Sequence, residues 1–293
     1  MKLLIPDNRH GLTLALQQEI APRHDIQLCL TEGLSDALSY LNQHRADAVL
    51  IPPLASPETL PLTVIEQHVA LVETLLASCQ RLDMMLIWCV SHQLFEQDHE
   101  HLLNEEERPQ PLAAALQKLA SLESSVRSQW HRHVVLRTSE LFGSEGDCMA
   151  LPEQLTSWLA GGSVAADDHL FLAPLSVDAF ARAVVGIVLQ LNNGADAWGV
   201  FHLSGREPVS QFEFSSAALS CLREMVAPDS AFNLSDATVS IEGHHHTVRR
   251  ILGCQKILMT FGIHQIEWRS PLQHYVRRWL TQQNIPLVEH SVD

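Results

Sequence analysis

Tyrosine is scarce here: the 293 residues hold two, Tyr40 and Tyr275, so any phenol acting as a proton donor has to be one of them. Glycine is sparse at the start, where Gly11 is the only one before Gly33. A multi-glycine loop cradling phosphates is therefore excluded from the N-terminal turn. The six cysteines, Cys29, Cys79, Cys89, Cys148, Cys221 and Cys254, include no C-x-x-C pair, which argues against a disulfide framework or a thiolate zinc knot. Positive charge is also short, with 19 Lys and Arg against 34 Asp and Glu. A net charge of -15 speaks against nucleic-acid partners, whose affinity comes largely from neutralising phosphates. No uncharged apolar run approaches the ~18 residues of a membrane helix. Met1 to Ile5 meets Pro6-Asp7 too soon for a signal-peptide core. A hydrolase elbow, G-x-S-x-G, is missing as well. A cytoplasmic, reducing setting without membrane or nucleic acid is the expectation.

What is present begins with Met84 to Phe95, MMLIWCVSHQLF. An apolar run that stops at Ser91-His92-Gln93 suits a strand buried on both faces of a parallel sheet. Ligands of open α/β sheets sit beyond the carboxyl ends of strands, so the polar triplet marks a site.

Around that strand the chain alternates. Strands are expected at Lys2 to Ile5, Ile26 to Leu30, Asp47 to Ile51 and Val134 to Leu136, and helices at Leu12 to Ile20, Ser35 to His44, Thr63 to Leu82 and Leu112 to Gln129. Thr63 and Glu66 have capping-box spacing. The acidic segment Glu96 to Glu107 reads as a solvated loop. The alternation predicts an α/β fold, a Rossmann-like doubly wound parallel sheet. The lobes are expected at 1–145 for nucleotide binding and 146–293 for a smaller, mostly C-terminal substrate lobe. Helix 177–191 and strand 200–203 are candidates to pack back on the first.

The order of landmarks resembles the extended short-chain dehydrogenase/reductases, most closely the dTDP-4-dehydrorhamnose reductase type. Ser91-His92-Gln93-Leu94-Phe95 falls where that family has Ser-Thr-Asp-Tyr-Val-Phe. Glu107-Arg108-Pro109-Gln110-Pro111 with Lys118-Leu119-Ala120 is similar to its approach to the Tyr-x-x-x-Lys helix, and Leu136-Arg137-Thr138-Ser139 to the next strand. Ala173 to Asp178, Gly199-Val200-Phe201-His202-Leu203-Ser204-Gly205, Val209 to Phe214, and Phe261-Gly262-Ile263 with Trp268-Arg269 resemble its later blocks.

The resemblance implies NAD(P)H as cofactor, a dTDP-linked keto sugar as ligand, and a tyrosine acid whose pKa a nearby lysine lowers. Four residues before Lys118 stands Ala114, and the neighbouring registers give Ala113 and Ala115, so no phenol is present. The catalytic candidates are Ser91 as hydroxyl, His92 as substitute acid with an unperturbed pKa of about 6.5, and Lys118. On the cofactor side the glycine turn falls on Pro6, Arg9 and Leu12, leaving Asn8, Arg9 and Gly11, with Glu32 as the ribose carboxylate. The 17 histidines include His244-His245-His246, His99, His101, His131 and His133, but the spacings predict no metal site.

The expectation is thus a sugar-nucleotide-binding protein with impaired catalysis, acting as a binding or regulatory module with a protein partner. The alternatives are an active NAD(P)-dependent reductase or epimerase of a dTDP-linked 4-keto sugar, and a scaffold with a vestigial cleft.

Overall fold

In the computed structural model, which describes residues 1–6, 11–144, 149–227, 232 and 234–288, the apolar runs of the first half form parallel strands. They are β1 (Lys2–Ile5), β2 (Gln27–Leu30), β3 (Ala48–Ile51), β4 (Met85–Ser91) and β5 (His133–Thr138). Helices α1 (Gly11–Ile20), α2 (Leu34–Gln43), α3 (Leu62–Leu82) and α4 (Ala114–Gln129) alternate with them. Then come β6 (Leu141–Phe142), α5 (Leu151–Leu159), β7 (Ser163–Ala166), β8 (Leu170–Leu172), β9 (Leu175–Ser176), α6 (Val177–Asn192) and β10 (Gly199–Leu203). The rest is β11 (Val209–Ser210), α7 (Gln211–Met225), β12 (Thr238–Ile241), β13 (Val248–Arg249), α8 (Gln255–Phe261) and α9 (Arg269–Gln282).

The central sheet runs β10-β5-β4-β3-β1-β2, with every pairing parallel. Side chains alternate across it. Leu3, Ile5, Leu50, Ile87, Leu136 and Phe201 pack with α1, α6 and α8, while Leu4, Val49, Leu86, Trp88 and Val135 pack with α2, α3 and α4. Helices covering both faces leave β3 and β4 buried at every position, which is why both runs are apolar up to Ser91. This is the doubly wound Rossmann-like sheet that the sequence predicts.

The irregular C-terminal half has its own core, in which Phe142, Trp158, Phe214, Trp268 and Val276 meet. Strands β6 to β9, β11, β12 and β13 are two to four residues long, too short to show a period. The run after β10 passes the residues before β9 so closely that only glycine fits: a Cβ on Gly205 would overlap the Pro174 carbonyl.

Two local expectations fail. Helix α3 starts on Pro61, with no side-chain cap from Thr63. The reciprocal capping box opens α7 instead: Glu213 N donates to Ser210 Oγ, and Ser210 N donates to Glu213 Oε2, both at 3.1 Å. Nor is the segment from 96 to 107 merely solvated, because Leu103 and Glu105 are buried. Its backbone is stitched to β13 and the run after it through His99 N to Arg249 O at 2.9 Å and Leu103 N to Ile251 O at 2.9 Å. Helix α3 is long and apolar enough to cross a membrane by length and composition alone; here its Ile65, Val72, Leu75 and Leu76 cover the sheet.

Candidate functional site

Strand β4 ends on Ser91, which stands opposite Thr138 at the end of β5. The Ser91 hydroxyl accepts the Gln93 amide at 3.2 Å and so caps a 3-10 turn over His92–Leu94. That turn swings His92 inward. Its Nε2 lies 2.9 Å from Glu140 Oε1, with the two side chains 3% and 7% exposed. His92 Nδ1 and Glu140 Oε2 are buried with no hydrogen-bond partner. A carboxylate bonded to one imidazole nitrogen fixes the ring and leaves the other nitrogen to give or take a proton. Glu140 was not among the sequence candidates. Its signal is an acidic residue four past the apolar run Val134 to Leu136 and two past the end of β5.

The structure brings Ser91 and His92 together, but not Lys118. Lys118 Nζ pairs with Glu66 on α3 at 3.1 Å, and its side chain is 45% exposed. The residue turned to Ser91 is the next one, Leu119, which lines a cavity of about 10 Å³ with Trp88, Ser91 and Leu94. Such a volume holds about one water molecule. Residues four apart share a helix face, so the inward pair on α4 is Ala115 and Leu119, both packed into the sheet core. Because Ser91 serves as a cap at this position, Ser91→Ala is expected to cost about 1 kcal/mol in urea unfolding. A loss of several kcal/mol would mean the hydroxyl is a deeper structural element.

Beneath the site lies a buried charged network. Arg137, fully buried on β5, donates from Nη2 to Glu123 Oε1 at 2.6 Å and from Nε to Glu123 Oε2 at 3.1 Å. Its Nη2 also reaches the Glu107 carbonyl at 2.9 Å, and its Nη1 lies 3.1 Å from His202 Nε2. Burial, then the Arg137 charge, pushes His202 down to about 3, so the ring is neutral and accepts from the guanidinium. Burial likewise raises the carboxyl of Glu105, which receives the His202 amide. These groups lock α4, β5, β10 and the 96–107 segment together behind Ser91.

At the other end, the strand order reverses between β1 and β3, the place where doubly wound sheets bind ligands. A cavity of about 340 Å³ opens there, lined by Pro6, Gly33, Pro52, Leu54, Gln67 and His68 among others. Leu54 and His68 also line the Ser91 cavity, and His68 Nε2 accepts from Trp88 Nε1 at 3.2 Å. Only residues 31 to 33 join β2 to α2, and the Gly33 amide donates to the Pro6 carbonyl at 2.7 Å. Glu32 is exposed on this link. Asn8 and Arg9 lie outside the described residues. Gly11 begins α1 and lines a separate cleft with Gly143, Tyr275 and Trp279.

Neither tyrosine lines the Ser91 cavity. Tyr40 Oη lies 3.0 Å from Cys29 Sγ, and that bond together with burial pushes its pKa up to about 12. Tyr275 is on α9, against Gly143. The inward face of α4, made of Ala115 and Leu119, offers a nicotinamide ribose neither a hydroxyl nor an ammonium.

A six-stranded parallel sheet with polar groups gathered at its carboxyl ends defines a Rossmann-like protein. A family model described as the RmlD substrate binding domain matches residues 64–281, and the chain belongs to that family. No curated protein matches the sequence. Among solved structures, a dTDP-4-dehydrorhamnose reductase from Clostridium acetobutylicum is similar, with 14% identity, a TM-score of 0.75, and coverage of 97% of this chain and 100% of that one. The dTDP-4-dehydrorhamnose reductase from Bacillus anthracis in complex with NADP has 14% identity and a TM-score of 0.73, covering 96% and 98%. DesIV, a dTDP-glucose 4,6-dehydratase from Streptomyces venezuelae with NAD and TYD bound, has 16% identity and a TM-score of 0.76, covering 97% and 98%. At such identities the likeness establishes the shared fold.

Proposed function

We propose that the chain is a sugar-nucleotide-binding protein whose reductase chemistry is impaired, serving as a binding or regulatory module. The observation that carries this reading is the inward face of α4: alanine and leucine stand at 115 and 119, four apart, and the lysine beside them turns out to Glu66. A positioned proton donor is worth a factor of ~10²–10⁴, and without the adjoining cation the cofactor ribose has one partner fewer. Binding of a dTDP-linked sugar is supported by the family and by what the similar structures are named for.

A second reading, an active NAD(P)-dependent reductase or epimerase, is favoured by one feature. His92, oriented by Glu140 next to Ser91, has the parts of an acid in place of tyrosine.

The two readings part on a pair of titrations. We expect a dTDP-sugar to bind saturably by calorimetry. NADPH oxidation with a dTDP-4-keto-6-deoxy sugar should fall ~10²–10⁴ below that of a tyrosine-bearing reductase. Turnover at ordinary reductase rates, abolished by His92→Asn, would establish the second reading. Silence toward both ligands would leave a scaffold with a vestigial cleft.

A further inference from the structure

We propose that His99, His101 and Glu107 form a binding site for one divalent transition-metal ion of the zinc type. The inference goes beyond sugar-nucleotide binding and reverses the sequence expectation of no metal site. One donor atom from each residue lies within 4.8 Å of the other two. His101 Nε2 and Glu107 Oε2 are already 3.0 Å apart. Around a tetrahedral ion with bonds of ~2.0–2.2 Å, neighbouring donors are roughly 3.3 Å apart. The third donor therefore has only a short swing to complete the set, and His101 is exposed enough to follow.

The surroundings hold these donors in place. Glu107 Oε1 receives both the Asn104 backbone amide and its side-chain amide, each at 2.8 Å, which leaves Oε2 pointing at the imidazole. The Glu107 carbonyl is held by buried Arg137, and the His99 amide by Arg249. The imidazoles of His99 and His101 meet edge to face at 5.8 Å, and His99 rests on Phe95 in the same way at 5.9 Å. Two imidazoles and one carboxylate suit zinc, cobalt or nickel far better than calcium or magnesium, which prefer all-oxygen sites.

A second cluster shows the difference. Asp167, Asp168 and His169 also lie within reach of one another. There Asp167 is spent on the chain itself. Its Oδ1 takes the His169 and Leu170 amides at 2.8 and 3.2 Å, and its Oδ2 takes the His244 amide and ring nitrogen at 2.8 and 2.5 Å. It is a loop anchor with no oxygen to spare.

An ion at His99, His101 and Glu107 would fasten the 96–107 segment to itself beside its attachment to β13 and the run after it. Its binding energy would then add to the stability of that clasp.

The test uses the full chain stripped with EDTA. Zinc titrated by calorimetry should bind at one ion per chain and raise the melting temperature. Cobalt should give the visible absorption of a low-coordinate site with nitrogen ligands. His101→Ala should abolish both signals. Asn104→Ala should weaken binding ~10–100-fold, as loss of an orienting partner does. His244→Ala should change neither. Absent binding, binding indifferent to His101→Ala, or binding lost in His244→Ala would each overturn the proposal.

Discussion

Arg137→Met is expected to lower unfolding free energy by about 3–5 kcal/mol, the effect of stranding one member of a buried ion pair. Glu123, with its side chain 2% exposed, would lose both Arg137 bonds and keep only Arg127 Nη1, 3.5 Å from Oε1, as a charged partner. The Glu107 carbonyl and His202 Nε2 would lose their donor in the same step. Urea unfolding should show a fall in midpoint with little change in slope, since the surface exposed on unfolding stays the same. The double variant Arg137→Met/Glu123→Leu should recover much of the loss, because replacing both charges removes the desolvation cost along with the attraction. If the single variant is nearly neutral, the pair is not buried as described.

Trp88→Ala should cost a similar ~3–5 kcal/mol, for a different reason. Trp88 is 1% exposed in the middle of β4, between the sheet and the helices above it. Removing the indole opens a void beside the Ser91 cavity, which His68 also lines. Trp88→Phe separates the two contributions: it keeps most of the packing and loses the bond to His68 Nε2, so a loss near 1 kcal/mol is expected. Equal losses for the two variants would show that the hydrogen bond, not the volume, carries the stability.

How much of this was legible in the sequence depends on range. Strand β4 and the placing of Ser91 at its end could be read directly, because an apolar run with a polar stop reports a buried strand and its exit. Lys118 is misplaced by the resemblance, because Lys-Leu-Ala matches the family's triplet while the helix face is set by burial. Leu116, Leu119, Leu122, Glu123 and Val126 are the buried positions of α4, and Lys118 lies off that stripe. The spacing of those leucines was in the sequence and would have put Leu119, not the lysine, toward Ser91. The reach from Arg137 to Glu123 and His202 had no such signal, since 14 and 65 residues separate the partners. The same holds for His92 and Glu140, which meet only because β4 and β5 are neighbours. The short strands of the C-terminal half went unread because two to four residues carry no period.

The leucine at 119 also sets a condition on any attempt to build a cation into this cleft. A lysine introduced there alone would leave its ammonium among Trp88, Leu94 and the sheet, with no anion or hydroxyl placed to receive it beyond Ser91. The greasy infill therefore has to be replaced together with a partner, not one side chain at a time.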